Sequence, residues 1–133
     1  MKKLIMLVLL PLVLLGCQPE KLSTIQLEDE IVKVNISESN GFYEINPNFF
    51  LEIDDENTIE TITEAIITSE KQMGSVDMAD PEYDMRVGYA NGNFHDFHVW
   101  LGEKATLMEL ENTETIYYVS SEMTDKLEQL INK

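Results

Sequence analysis

The sequence is poor in cysteine, in basic residues and in long apolar runs, and each shortage excludes a class of protein. Its single cysteine, Cys17, excludes a disulfide within the chain and a zinc site built from several cysteines. Nine Lys and Arg stand against 25 Asp and Glu, for a formal net charge of −16. This balance argues against nucleic acid as a partner, because phosphate binding needs clustered cations. A solvated surface is the simplest interpretation of the acidic excess, and cation binding is the alternative.

The chain has the length and composition of one folded domain. It contains 133 residues, of which 44% are hydrophobic, with five Phe, five Tyr and one Trp. These fractions are sufficient for an ordinary packed core and are not those of a disordered chain.

The longest apolar run covers residues 4–15 and is too short to cross a membrane. As a helix it would extend about 18 Å, against a hydrocarbon core of about 30 Å. It follows two lysines, as in a signal peptide. The next residues, Leu14-Leu15-Gly16-Cys17, resemble the lipobox of bacterial lipoproteins, in which the cysteine thiol receives a diacylglyceryl group before cleavage. The alternatives are a plain secretory signal with a chance cysteine and an uncleaved core helix.

These residues predict a signal peptide over residues 1–16 and a lipid anchor on Cys17. Two acyl chains give stable membrane attachment where one gives marginal binding. We therefore expect the protein at the cell membrane, on its extracytoplasmic face. The polar residues 17–30, which include Pro19 and Glu28-Asp29-Glu30, predict a flexible tether, and residues 31–133 a single domain.

The first part of this domain predicts strands. Val32, Val34 and Ile36 alternate with polar residues, as in a half-buried strand. Asn40-Gly41 predicts a two-residue hairpin turn that sets Ile36 opposite Ile45. A further short extended segment is predicted over residues 49–53.

The rest of the domain predicts a helix, a meander of strands and a last helix. Asn57 and Glu60 have capping-box spacing, an apolar stripe follows as far as Met73, and Gly74 is a stop signal. Strands are predicted over about residues 83–89, 93–101, 106–110 and 115–119, and then a helix capped by Ser120 or Ser121. The fold class is therefore α+β, a mostly antiparallel sheet with two helices packed on one face.

The loop around Asn91-Gly92 can close in two ways, and the side chains choose between them. A two-residue turn would place Val87 opposite Asp96. A three-residue loop, residues 90–92 with Gly92 left-handed, shifts the pairing by one and separates apolar from charged residues. One face then contains Tyr83, Met85, Val87, Tyr89, His95, Phe97, Val99 and Leu101. The opposite face pairs Arg86 with Asp96 and Asp84 with His98. We expect the three-residue loop.

This register leaves Phe94 and Trp100 on the face away from the helices. Two interpretations are open. The aromatic side chains form a partner-binding patch, or another part of the chain covers them, such as the segment before residue 54.

Groupings typical of catalysis or metal binding are missing from the sequence. His95 and His98 lie three apart in a strand, so they point to opposite faces and cannot chelate one metal together. A weak site from His98, Asp84 and Asp96 is the alternative to an ion pair. No serine lies in a nucleophile elbow, no spacing selects an acid/base pair of carboxylates, and no glycine loop suits phosphate. We expect no enzyme activity, no cofactor and no metal.

Several short motifs together resemble a known family. They are Gly41-Phe42, Gly74-Ser75-Val76-Asp77-Met78, Asp80-Pro81-Glu82-Tyr83-Asp84, His98-Val99-Trp100-Leu101-Gly102 and Thr115-Ile116-Tyr117. In order and spacing they are similar to the YhfM-like domain of small lipoproteins of bacilli. The resemblance implies an extracytoplasmic domain without assigned activity, and it implies no catalytic residues.

The leading expectation for function is a lipid-anchored, non-catalytic interaction or sensing module whose partner is an unknown envelope protein or small ligand. The alternative is an envelope lipoprotein that binds a small ligand or a cation with its acidic surface.

Overall fold

A computed structural model describes residues 24–73 and 77–132. The described chain forms seven strands and two helices. In chain order they are β1 (Ile31–Glu38), β2 (Leu51–Ile53), α1 (Glu56–Ile67), β3 (Glu70–Lys71), β4 (Tyr83–Tyr89), β5 (Phe94–Trp100), β6 (Thr106–Glu109), β7 (Asn112–Tyr118) and α2 (Ser121–Ile131). No described helix is both long enough and apolar enough to span a bilayer.

The strands form one antiparallel sheet in the order β2-β1-β4-β5-β6-β7-β3. Both helices pack on the same face, which we call the core face. Alternate strand residues such as Val87, Phe97 and Leu107 meet helix residues such as Ile62 and Leu127 there in one buried cluster. The predicted α+β class, with two helices on one face of an antiparallel sheet, is confirmed.

The central hairpin has the predicted register. Asp84 pairs with His98 and Arg86 with Asp96 across β4 and β5. The loop is residues 90–92, and Gly92 has φ +92°, a conformation that favours glycine. The side-chain pattern therefore selected the correct one of two possible turns.

The connection between β1 and β2 differs from the sequence prediction. Asn40-Gly41 does not form a two-residue hairpin, and Ile36 pairs with Leu51 rather than with Ile45. Residues 39–50, which we call the strap, instead run along the sheet face opposite the helices, which we call the second face. The Asn46 N–H donates to Asp84 Oδ2 at 2.7 Å, so long-range hydrogen bonds override the local turn signal.

Strand β1 contains a bulge that changes which residues are buried. The pairing with β4 shifts between Ile31 and Lys33. Ile31 is buried as a result, whereas Val32, predicted inward, is 44% exposed. A bulge inserts one residue and so inverts the alternation on one side of it.

Helix α1 begins and ends earlier than predicted. Its N-cap is Asp55, whose Oδ2 accepts the Thr58 N–H at 3.0 Å, and not Asn57. The helix ends at Ile67 because Thr68 and Ser69 bond back to carbonyls of the last turn. The next residues form β3 at the sheet edge beside β7, so Met73 is exposed and does not extend the apolar stripe.

Helix α2 agrees with its prediction. Ser120 is the N-cap, and its hydroxyl oxygen accepts the Met123 N–H at 3.2 Å. Leu127 and Ile131 face the core.

The folded part of the chain begins before residue 31, which corrects the predicted end of the tether. Ile25 is only 3% exposed and belongs to the core cluster. The Glu30 carbonyl accepts the Ala90 N–H at 2.8 Å. Residues 24–30, the N-terminal segment, therefore pack along the central hairpin, while residues 1–23 lie outside the described part.

Candidate functional site

An open cleft of about 600 Å³ lies at the tip of the central hairpin. The N-terminal segment, the hairpin and the β6–β7 turn form its walls. We call it the hairpin cleft. Its lining, largely polar with several carboxylates, consists of Gln26, Leu27, Glu28, Tyr89, Asn93, Phe94, His95, Glu109 and Glu111. A cleft in which polar groups converge is the default candidate for a binding site.

A hydrogen-bonded chain of Tyr89, His95 and Glu109 forms one wall of the hairpin cleft. Each residue comes from a different strand, at the end of β4, near the start of β5 and at the end of β6. His95 Nε2 lies 2.8 Å from Glu109 Oε2, and His95 Nδ1 lies 2.7 Å from the Tyr89 hydroxyl. The His95 ring also stacks on Phe97, with centroids 4.4 Å apart.

The chemistry of these partners assigns the protons. Burial raises the pKa of the Tyr89 hydroxyl, which therefore keeps its proton. A carboxylate can only accept, so the Glu109 contact takes the Nε2 proton, and Nδ1 of a neutral ring accepts from the Tyr89 hydroxyl. Both ring nitrogens are then engaged, and neither offers a free lone pair to a substrate.

Glu28 joins the N-terminal segment to the hairpin tip. Its Oε2 accepts the side-chain N–H of Asn91 at 2.7 Å and also that of Asn93. The hydrogen bonds from Asn93 and Asn91 lower the pKa of the Glu28 carboxyl, which is therefore ionised near neutral pH. Glu28 thus keeps one wall of the cleft in place and contributes a negative charge to it.

Phe94 borders the hairpin cleft and is 62% exposed. The Arg86 guanidinium lies 4.5 Å from its ring centroid, within cation–π range. Arg86 also forms a two-pronged ion pair with Asp96, at 2.8 and 2.9 Å. The ring is therefore exposed but supported from one side.

Trp100 is covered, as in the second of the two interpretations. It is 8% exposed, and its indole N–H donates to the Ala79 carbonyl at 3.0 Å. Phe42 of the strap lies 6.0 Å from it between ring centroids. Phe94 and Trp100 therefore do not form a single exposed patch, and only Phe94 is available at the surface.

His98 and Asp84 form a fully buried pair on the second face. His98 Nδ1 lies 2.8 Å from Asp84 Oδ1, and both side chains are 0% exposed. The strap contacts both residues, since the Tyr43 N–H donates to His98 Nε2 at 3.2 Å and the Asn46 N–H to Asp84. His95 and His98 point to opposite faces, as their spacing predicts.

Sequence reasoning missed the partners of His95. Glu109 reaches it only because of the β5–β6 register, and Glu28 reaches the tip only because the N-terminal segment packs back on the hairpin. No local motif indicates either contact.

Two further predictions concern a metal site and the lipid anchor. Within residues 24–73 and 77–132, no three His, Cys, Asp or Glu side chains are grouped to hold a metal ion. Cys17 lies outside those ranges, so lipid attachment at this residue stays a prediction.

The comparisons with known proteins identify the family. The family model described as YhfM protein matches residues 27–133. The chain belongs to the YhfM family. This match confirms the family resemblance of the sequence motifs, and its first residue falls in the N-terminal segment that packs on the hairpin. No curated protein is significantly similar in sequence.

One solved structure is similar in fold to this YhfM chain. It is a thioesterase-like protein from Clostridium sporogenes, with a TM-score of 0.59 and 12% sequence identity. The similarity covers 76% of this chain and 94% of that chain. At this identity the likeness concerns the fold alone.

Proposed function

We propose that this YhfM protein is a lipid-anchored, non-catalytic interaction module on the extracytoplasmic face of the cell membrane, and that the hairpin cleft contacts its partner. The observation that carries the proposal is the exposed ring of Phe94 beside a cleft with an acidic lining. Exposed aromatic residues at the edge of a cleft are typical anchors of protein interfaces.

The charge around Phe94 favours a basic partner. Glu28, Glu109 and Glu111 all line the hairpin cleft, and the whole chain carries −16. Charge of one sign attracts and orients a partner of the opposite sign and raises the rate of association. A protein segment with lysine or arginine next to an apolar side chain would match both the carboxylates and the ring.

The hydrogen bonding of His95 supports a non-catalytic role. A general base needs a free lone pair within reach of a substrate proton. The His95 ring nitrogens are engaged by Tyr89 and Glu109. The thioesterase-like description of the solved neighbour makes thioester hydrolysis the activity to test. Hydrolysis of an acyl thioester by the wild type, lost in His95→Ala, would overturn the non-catalytic role.

A peptide-binding experiment tests the proposed cleft. The probe is a short peptide of alternating lysine and leucine, titrated by calorimetry against the soluble domain. We expect binding that weakens with added salt and that becomes about tenfold weaker, or about 1.4 kcal/mol, in Phe94→Ala. An acidic peptide of equal length should not bind.

Phe50→Ala is the matched control, because Phe50 is a similarly exposed phenylalanine, at 50%, outside the cleft lining. Equal affinity losses in the Phe94 and Phe50 variants, or no binding of the basic peptide by the wild type, would contradict the assignment.

The anchor has a separate test. We expect mass spectrometry of the protein from native cells to find an N-terminal Cys17 that carries two acyl chains through a thioether-linked glycerol. Cys17→Ala should leave the chain unprocessed and without lipid. An intact leader or an unmodified thiol in the wild type would contradict the lipid anchor and the proposed location at the membrane.

If Cys17 carries lipid, the hairpin cleft lies close to the bilayer. Thr24 comes seven residues after Cys17 in the chain, and an extended chain of that length spans at most about 25 Å. The N-terminal segment that leads to the anchor is itself a wall of the cleft. A partner at the membrane surface could therefore be reached.

A further inference from the structure

The strap is attached to the sheet through hydrogen bonds to two ionisable side chains. The Tyr43 N–H donates to His98 Nε2 at 3.2 Å, and the Asn46 N–H donates to Asp84 Oδ2 at 2.7 Å. Further contacts come from the Ser37 hydroxyl, which donates to the Asn46 carbonyl at 2.7 Å, and from Phe42, which packs edge-on against the His98 ring. The charge state of the buried pair therefore bears directly on the strap.

The Tyr43 contact requires a neutral imidazole. A backbone N–H can only donate, so His98 Nε2 must present a lone pair, and the ring proton must lie on Nδ1, where it is donated to Asp84 Oδ1. A second proton can bind only at Nε2. This proton would make Nε2 a donor that faces the Tyr43 N–H, which is also a donor, and the hydrogen bond between them would be lost.

Tyr43 is also held in an unfavourable backbone conformation. Its φ is +75°, a left-handed value that side chains other than glycine rarely adopt. Such a conformation persists only while surrounding contacts maintain it. Tyr43 is 77% exposed, and its N–H bond to His98 ties its backbone to the sheet.

The strap covers an apolar cluster of Trp100, Met108 and Ile116 on the second face. Phe42 and Met78 pack against this cluster from outside the sheet. Release of the strap around Tyr43 would therefore remove the Phe42 part of this cover and increase the exposure of Trp100, while the part from residues 78–79 stays.

No other charged group described around His98 accepts a hydrogen bond from Tyr43 of the strap. On the same face, Arg86 and Asp96 neutralise each other at 2.8 Å, and β6 places the uncharged Met108 opposite His98. Other ionisable groups of the elements packed here are exposed: Glu44 and the Tyr43 hydroxyl on the strap, Asp77, Asp80 and Glu82 before β4, Glu38 at the end of β1, and Glu114 on β7. Asp84 Oδ2 accepts the Asn46 N–H whether or not the other carboxyl oxygen, Oδ1, carries a proton.

We propose that the strap is a pH-sensitive latch, which stays closed while His98 is neutral and opens around Tyr43 when a proton binds His98 Nε2. Opening moves Phe42 away from the Trp100 cluster while the sheet and the helices stay folded. The latch is distinct from the hairpin cleft, since neither His98 and Asp84 nor any residue of the strap lines the cleft.

Trp100 is the single tryptophan of the chain, so its fluorescence reports the latch. Histidine changes charge between about pH 5 and pH 8. Between those limits we expect the Trp100 emission of the wild type to shift to longer wavelength on acidification and its quenching by acrylamide to increase, reversibly. The far-UV circular dichroism should not change. A flat emission and quenching profile, or loss of the helical signal together with the shift, would overturn the proposal.

Two variants test whether the pH dependence of the Trp100 fluorescence arises from His98. In His98→Gln the introduced amide can donate to Asp84 and accept from Tyr43 but does not titrate, so the profile should become flat. His95→Gln removes the other histidine and should keep the wild-type profile. The same pH dependence in His98→Gln would contradict the latch.

A second measurement covers the case in which His98→Gln does not fold. Hydrogen exchange of the wild type, corrected for the intrinsic effect of pH, should show that the Tyr43 amide loses protection at acidic pH while the amides of β4 and β5 keep theirs. Unchanged protection at Tyr43 would overturn the latch without any variant.

Discussion

Asp84→Ala is expected to lower the free energy of unfolding by about 2–6 kcal/mol. The substitution leaves two donors without an acceptor, the Nδ1–H of His98 and the N–H of Asn46. A buried donor without a partner costs about 1–3 kcal/mol, and His98 is 0% exposed. Urea unfolding followed by circular dichroism measures the change.

Asp96→Ala is the matched control for Asp84. The substitution removes a carboxylate from the same face of the central hairpin, two residues from His98. The ion pair of Asp96 with Arg86 is partly exposed, however, with 28% of the arginine side chain and 19% of the aspartate side chain accessible. Partly exposed pairs contribute about 1 kcal/mol or less. If Asp84→Ala costs no more than Asp96→Ala, the buried pair does not hold the strap as described.

Phe97→Ala is expected to cost about 3–5 kcal/mol, the usual loss for a large aromatic side chain in a core. Phe97 is 0% exposed and lies in the cluster shared by the sheet and both helices. It also stacks on His95, so the variant should disturb the hairpin cleft as well as the core. Thermal and urea unfolding give the cost, and peptide binding shows the effect on the cleft.

Phe94→Ala provides the comparison on the same strand. Phe94 is 62% exposed and contacts Arg86 through its ring, an interaction of about 0.5–1 kcal/mol at exposed sites. The two phenylalanines point to opposite faces, so their costs should differ by more than about 2 kcal/mol. Equal costs would indicate a strand register shifted by one residue, since a single slip exchanges the faces of the sheet.

The success of the hairpin prediction and the failure at Asn40-Gly41 have a common explanation. For β4 and β5, two alternating patterns flank a short loop, so the correct register could be chosen from which side chains would be buried together. At Asn40-Gly41 the prediction rested on the turn signal. The residues that decide the course of the strap are Asp84 and His98, which lie 38 residues from Asn46 and 55 residues from Tyr43.

The same contrast applies to the candidate site. Phe94 and the opposite orientation of His95 and His98 followed from strand alternation. Glu109 and Glu28 were missed because they meet His95 and the hairpin tip from separate segments, 14 residues and more than 60 residues away. The sequence could not decide between an exposed and a covered Trp100 for a related reason, since the cover comes from Phe42 and from residues 78–79.

The sequence by itself determined the α+β class, the register of the central hairpin, the cap and apolar face of α2, and the family. The first three depend on residues close together in the chain, where periodicity and turn chemistry act directly, and the family depends on the order of short motifs along it. Only the tertiary structure decided the path of the strap, the early end of α1 followed by β3, the packing of residues 24–30, the partners of His95, and the contact of the strap with His98. Those features depend on which buried donors and acceptors meet across the sheet, and a buried polar group takes the partner that the fold brings to it, however distant in sequence.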